Sequence, residues 1–415
     1  MSAPATMGRS DAAGARRPAR PAPRRADSDA RARLLAGERP EAVSPTWPVF
    51  GRRSFSDDGR MLREVTFVAD LPAGHEGMIH LNGITDGHRH DLGPALLERV
   101  PVAVGSDAPL GVIAYLLPDD LVASYRFASA PHLPRDAGLT HAGWRSIHRL
   151  GCPDPRNPRE LPNPLGTRSS VLVMPGARVH PAWEARTPRE PREVRAEVVP
   201  IDGDTSLTVL RPAGAADGRV LLLFDGEHWA GAGVREALAR HLAPPATVVL
   251  VPSGDLARRA ALLPHPERVI AHLETEVLPA VAALIGGLPD PSQVVVAGQS
   301  YGGLAAASVT ALRPDLAATA IVQSGSFHFR ADEELRVPAG QVGDLVRRLA
   351  EASVSGRFAV QAGTEEAGML DLAHSFADAA RAAGGDVTLR AYTGGHDYAW
   401  WRTGLFDALD ELDAR

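Results

Sequence analysis

A run of apolar residues that breaks on Gly-x-Ser-x-Gly limits what this chain can fold into more than any other feature. Val294-Val-Val-Ala-Gly-Gln-Ser-Tyr-Gly-Gly303 sets apolar residues ahead of the motif, and a helix-compatible stretch, Leu304 to Leu312, follows it. That order predicts a strand, a sharp turn and a helix, with Ser300 on a strained turn at the carboxyl end of a central strand. Gly298 and Gly302 leave room for the backbone to come close. A hydroxyl held there is exposed and poised as a nucleophile. The chain has 40 glycines, so the motif alone arises by chance, and the flanking strand and helix patterns are what give it meaning.

The surrounding sequence supplies a sheet to carry such a turn. Strands are expected at Arg192 to Pro200, Thr205 to Leu210, Val220 to Phe224, Thr247 to Val251, Val294 to Ala297, Ala318 to Gln323, Phe358 to Gln361 and Val387 to Tyr392. Helical patterns fall between them at Val234 to His241, Val269 to Leu284, Val342 to Glu351 and Asp371 to Ala383. Alternating strands and helices imply a parallel sheet covered on both faces, and the elbow on a central strand makes residues 193–415 an α/β-hydrolase domain.

A serine nucleophile needs a base, which in this fold follows the last strand. Thr393-Gly-Gly-His396-Asp-Tyr stands there, and a neutral imidazole can take the serine proton and return it to the leaving alcohol. The acid that orients the ring is expected after the penultimate strand, in Ala362-Gly-Thr-Glu365-Glu366-Ala-Gly. Spacing does not choose between Glu365 and Glu366; Asp397 ranks third, because a sequence neighbour rarely reaches the ring. An oxyanion hole requires backbone N–H groups, one from the residue after the nucleophile and one from an earlier loop. Tyr301 and Glu227, the latter after the strand at Val220, are the candidates.

Length and composition bound the rest. The 415 residues suggest two domains, and 44% hydrophobic with 23% charged residues is ordinary for a globular protein. A net charge of −6 argues against a nucleic-acid binder. No apolar run is long enough to span a membrane. The pairs Arg16-Arg17 and Arg24-Arg25 lack the apolar segment of a twin-arginine signal. A single cysteine, Cys152, excludes an internal disulfide and fits a reducing compartment, so a cytoplasmic protein is expected. Every one of the 44 basic residues is arginine, so an anionic ligand would be held by guanidinium groups.

Ahead of residue 193 three segments are expected. Residues 1–42 read as a disordered tail rich in Ala, Arg and Pro. Residues 43–140 contain short strand patterns between Gly, Pro and Asp turns: Arg63 to Ala69, Gly77 to Asn82, Glu98 to Val104, Leu110 to Leu116 and Ala123 to Ala128. They indicate an immunoglobulin-like β-sandwich. Residues 141–192 read as a Pro-rich connector.

With these residues in place, the chain resembles the enterochelin esterase family of siderophore hydrolases. The resemblance rests on Leu223-Phe-Asp-Gly-Glu-His-Trp229, Val296 to Gly303, Gln323-Ser-Gly-Ser326, and Gly394-Gly-His-Asp397 with Trp400-Trp401-Arg402, in the family's order. Leu81 to Asp86, Ser124-Tyr-Arg-Phe127 and Asp154 to Pro158 are similar to its N-terminal marker segments. The resemblance implies Ser300 as nucleophile, His396 as base and Glu366 as the acid, with no cofactor and no resident metal, since iron arrives with the substrate. It implies hydrolysis of the lactone esters of a ferric catecholate siderophore, an anionic ligand for which Arg259, Arg258, Arg168 and Trp229 are the expected contacts. Leu262 and Pro266 stand where the family segment has an acidic residue and an asparagine, a departure that bears on which siderophore is taken. The alternatives are a general carboxylesterase or acyltransferase and, in a different class, an inert siderophore-binding protein; the sandwich could also serve dimerisation. Oligomeric state is not legible.

Overall fold

The computed structural model of the chain describes residues 21–101, 109–163, 166–184, 190–214, 219–242, 246–287, 289–332 and 341–413. Eight strands precede the main sheet: β1 (Val49–Phe55), β2 (Met61–Asp70), β3 (Glu76–Leu81), β4 (Glu98–Val100), β5 (Leu110–Pro118), β6 (Val122–Ala130), β7 (Glu160–Pro162) and β8 (Arg168–Val173). They form two four-stranded antiparallel sheets, ordered β1-β2-β5-β4 and β3-β6-β8-β7. Alternate residues of each strand point to one side. Val65 and Phe67 of β2 and Ile113 and Tyr115 of β5 therefore meet Ile79 and Leu81 of β3 and Ala123 and Tyr125 of β6 in one shared core.

The second sheet corrects the expectation of a connector at 141–192. That stretch supplies β7 and β8 and the helix His141–Arg149, so the sheet is incomplete without it. β7 has three residues and ends on Pro162, too short to show a period of two. The expected tail is corrected in part. Residues 1–20 lie outside the described residues, but the helix Asp29–Leu35 is capped by the Ser28 hydroxyl and buries Leu34 among Val68, Val100 and Val112. One anchoring leucine in a two-turn helix leaves no readable periodicity. The strand expected to Val104 ends at Val100, and residues 102–108 lie outside the described residues.

The remaining strands are β9 (Val194–Asp202), β10 (Thr205–Pro212), β11 (Val220–Phe224), β12 (Thr247–Val251), β13 (Val294–Gln299), β14 (Thr319–Gln323), β15 (Arg357–Gly363) and β16 (Asp386–Tyr392). They build one sheet, ordered β16-β15-β14-β13-β11-β12-β10-β9. From β12 to β16 neighbours run parallel, and β10 is antiparallel to both β12 and β9. Every residue of β11, β13 and β14 is buried, which is why β11 reads as an unbroken apolar run and β13 and β14 as apolar runs ending on Gln299 and Gln323. Leu222, Val296 and Val322 face one apolar layer, with the helix Tyr301–Leu312 against it. Leu221, Val295 and Ile321 face the other, with Trp229, Trp400 and Phe406.

The two halves meet at the end of the main sheet where Ser300 sits. The Val122 amide donates to the Thr393 carbonyl at 3.0 Å, and Asn82 Nδ2 donates to the His396 carbonyl at 3.3 Å. The Asp397 carboxylate accepts from the Ser124 amide and, at 3.0 Å, from the Ala399 amide. Among the described residues no helix is long and apolar enough to cross a membrane.

Candidate active site

Ser300 follows β13 directly and caps the helix Tyr301–Leu312 with φ 56° and ψ −117°, a backbone conformation that L residues rarely hold. The turn closes because position 298 has no side chain: a Cβ there would lie 2.4 Å from the Gly302 carbonyl carbon. The Ser300 amide donates to the Gln323 carbonyl at 3.0 Å, tying the elbow to β14. The hydroxyl shares a 3.2 Å hydrogen bond with the Ser326 hydroxyl.

His396 stands between β16 and the helix Tyr398–Asp413, with Nδ1 2.7 Å from Glu366 Oε2. Glu366 is buried beyond β15. Its other oxygen, Oε1, accepts from the Gly363 amide at 2.8 Å and the Ser324 hydroxyl at 2.5 Å, and Trp401 Nε1 donates to Ser324 at 2.9 Å. A carboxylate only accepts, so the ring proton sits on Nδ1 and Nε2 is left bare. That is the tautomer a general base requires. The two rival acids are engaged elsewhere. Glu365 pairs with Arg60 Nη1 at 3.0 Å, and Asp397 takes the two amides at the junction of the halves, where burial pushes its carboxyl pKa up.

Tyr301 and Glu227 occupy the first turns of their helices. Glu227 belongs to the short helix Gly226–Gly231, entered through Asp225 in a left-handed conformation, φ 57° and ψ 41°. Its carboxylate accepts from the Ser253 amide at 3.1 and 3.2 Å, which holds the turn against β12.

Ser300 and His396 line one cavity of about 400 Å³. Asp225, His228 and Arg259 continue its wall on the main-sheet side, and His80, Arg126 and His148 belong to the N-terminal half. The expected ligand contacts divide sharply. Arg259 does line the cavity, but its fork is closed on Asp225 by two 2.7 Å hydrogen bonds, and it lies 5.6 Å over the Tyr301 ring. Burial opposes its charge, yet the pairing with Asp225 prevails and raises its pKa. Arg258 points away, donating to Thr205 Oγ1 at 2.6 Å, because neighbours on a helix face different sides. Arg168 pairs with Glu160 at 2.6 Å, while Ser169, next along β8, faces the cavity. Trp229 is fully buried, donating to Gln299 Oε1 at 3.1 Å, so its ring is core and offers no face to a ligand. His80, Arg126 and His148 did not emerge as site residues from the sequence. The available signal was an arginine set in the expected strand Ala123 to Ala128.

One group outside the cavity has metal-ligand residue types: the nitrogens of His180 and His241 and the carboxylate of Asp410 lie within 4.8 Å of one another. His180 Nδ1 accepts from the Ala182 amide, so Nε2 carries the proton and donates to Asp410 at 3.0 Å. His241 Nε2 meets the other oxygen at 2.7 Å. The group is a closed hydrogen-bonded cluster.

The strained serine turn, the carboxylate-backed imidazole and the large mixed sheet define an α/β esterase with two antiparallel sheets ahead of its main one. Comparison with known proteins narrows this. Residues 64–183 match the family model described as enterochelin esterase, N-terminal, and residues 201–412 the one described as putative esterase. The iron(III) enterobactin esterase of Dickeya dadantii is 30% identical across 85% of this chain and 88% of its own length. The protein of that name from Escherichia coli K12 is 28% identical across 84% and 91%. Among solved structures, the enterobactin esterase of Shigella flexneri in the presence of enterobactin superposes with a TM-score of 0.72 at 26% identity, over 88% of this chain and 95% of that one. The chain belongs to the enterochelin esterase family.

Proposed function

We propose that the chain is a serine esterase of the α/β-hydrolase fold, preceded by an immunoglobulin-like sandwich, that opens the lactone esters of a ferric catecholate siderophore of the enterobactin type. The observation that carries the serine chemistry is the His396–Glu366 contact. It leaves Nε2 bare on a ring that shares a cavity with the Ser300 hydroxyl. The names of the relatives support the substrate class.

Ser300 Oγ attacks a lactone carbonyl and its proton passes to His396 Nε2. The oxyanion forms beside the amides of Tyr301 and Glu227. Collapse breaks the ester bond, and the leaving alkoxide takes the proton back from His396. Water then repeats the sequence on the acyl-enzyme, releasing a carboxylic acid and free Ser300. Each opened ester removes preorganisation from the iron-binding macrocycle and weakens its hold on the metal. The Glu366 carboxylate, 2.7 Å from Nδ1, holds the ring and stabilises the transient imidazolium. A cytoplasmic setting is proposed with this, on the single cysteine of the sequence.

The test is product analysis by mass spectrometry after incubation of the parent and Ser300→Ala with a ferric tricatecholate trilactone. Stepwise addition of water, giving linear trimer, dimer and monomer, is expected from the parent. In the variant the rate should fall by about 10⁶-fold. Intact trilactone beside rapid cleavage of a simple aryl ester would sink the substrate and leave the hydrolase.

A further inference from the structure

The N-terminal side of the cavity holds a guanidinium for which the ester chemistry has no use. Arg126 comes from β6, is only 4% exposed, and lines the cavity. Its hydrogen bonds go to neutral acceptors: His148 Nδ1 at 3.0 Å, the His148 carbonyl at 3.3 Å and Thr167 Oγ1 at 3.5 Å. Among the described residues no carboxylate pairs with it, in contrast to Arg259 on the opposite wall, which Asp225 neutralises. The guanidinium lies against bare backbone, since a Cβ on Gly151 would stand 3.1 Å from its Cζ. A buried cation without a counter-charge is costly, and proteins keep one where a ligand completes it.

The imidazoles beside it share this incompleteness. Guanidinium N–H groups only donate, so His148 Nδ1 must accept and its proton sits on Nε2. Among the described residues neither His148 Nε2 nor His80 Nε2, both buried, has a hydrogen-bond partner, and His80 Nε2 stops 3.8 Å from Asp86, beyond hydrogen-bond reach. Both residues line the cavity. Their rings stand 4.5 Å apart, with Trp144 5.0 Å from His148 and 5.3 Å from His80, an aromatic wall beside the cation.

We propose that Arg126, with His148 and His80, is the seat for one aryl oxyanion arm of the substrate, the planar fork taking the adjacent ring oxygens of a deprotonated catechol. The main sheet then supplies the cutting groups and the N-terminal half the ligand's counter-charge. This rests on the siderophore reading above and assigns a subsite within it.

The experiment is equilibrium binding by tryptophan fluorescence in a Ser300→Ala background, where nothing turns over. The probes are a ferric tricatecholate trilactone and the corresponding benzoyl trilactone without ring hydroxyls. Arg126→Met should weaken the ferric ligand by about 10- to 100-fold, the size expected for lost charge-assisted hydrogen bonds, and barely change the dehydroxylated one. His148→Leu, which removes a neutral donor, should weaken the ferric ligand by about 5-fold. Unchanged affinity in Arg126→Met overturns the seat while the substrate reading stands. Equal losses for both probes give Arg126 a structural role and overturn it too. Should thermal melting show Arg126→Met unfolded, His148→Leu decides, and unchanged affinity there counts against the seat. A parent that does not bind the ferric ligand sinks the substrate reading and the seat together.

Discussion

Replacing Glu366 by glutamine keeps shape and volume and inverts one hydrogen bond. Oε1 accepts from the Gly363 amide and the Ser324 hydroxyl, so in the variant the amide oxygen must occupy that position. The amide nitrogen is then forced into the place of Oε2, 2.7 Å from His396 Nδ1, where it can only donate. Nδ1 becomes the acceptor and the ring proton moves to Nε2, the atom that has to receive the Ser300 proton. A wrong tautomer of this kind costs about 10⁴-fold in kcat, which at about 1.4 kcal/mol per power of ten is roughly 5.5 kcal/mol of transition-state stabilisation. The assay is stopped-flow acylation with a simple aryl ester, alongside a thermal melt showing that Glu366→Gln remains folded. Glu365→Gln is the control: it loses an ion pair with a partly exposed Arg60, worth about 0–1 kcal/mol, and leaves the imidazole untouched. A Glu366→Gln rate within tenfold of the parent would refute the reasoning and leave a serine–histidine dyad. A collapse in Glu365→Gln would name the other acid.

Three further outcomes follow from particular contacts. In Gly395→Ala the added Cβ would stand 2.2 Å from Asn82 Oδ1 and 2.7 Å from Gly83 Cα, so the histidine loop must move off the N-terminal half. A displacement of about 1 Å predicts a loss on the order of 10²-fold in kcat, and an unchanged kcat would show that this junction does not position His396. Trp229→Ala should cost about 3–5 kcal/mol in denaturant unfolding while the KM of the folded enzyme stays that of the parent; a raised KM with unaltered stability would return Trp229 to the substrate site. Burial, with His80 and Arg126 adding to it, pushes His148 from 6.5 down to about 3, although Asp86 opposes the shift. The unfolded chain therefore binds a proton that the native state refuses. This contribution to stability is whole above about pH 6.5 and is lost as the pH falls toward 3. Urea titrations at several pH values should show a steeper acid loss in the parent than in His148→Leu, and parallel curves would contradict the assignment.

Much of the catalytic half was legible because its signals are local. A strained serine turn needs glycine at 298 whatever surrounds it, and buried parallel strands must be largely apolar, as β11 is throughout and β13 and β14 are apart from Gln299, Thr319 and Gln323. The N-terminal half was read less well. β7 is a three-residue strand paired with the nearby β8, too short to show a period, and the helix Asp29–Leu35 is held by partners far along the chain, so a Pro-rich stretch concealed two strands of a sheet and an Arg-rich one a docked helix.

The sequence by itself determined the strained turn at Ser300, the chain order that sets His396 behind the last strand, and the division into an alternating-strand half and an α/β half. These follow from backbone sterics and apolar patterning, which a chain carries residue by residue. Only the tertiary structure decided which glutamate meets the imidazole, since Glu365 and Glu366 are adjacent yet face Arg60 and His396 respectively. It decided also that Asp225 closes the fork of Arg259, that Arg258 and Arg168 turn away, and that Arg126 faces the cavity with no carboxylate paired to it among the described residues. Charge is a property of a residue, but its availability depends on what the fold brings within about 4 Å of it, and those partners lie from 8 positions away, for Arg168 and Glu160, to 305, for Arg60 and Glu365.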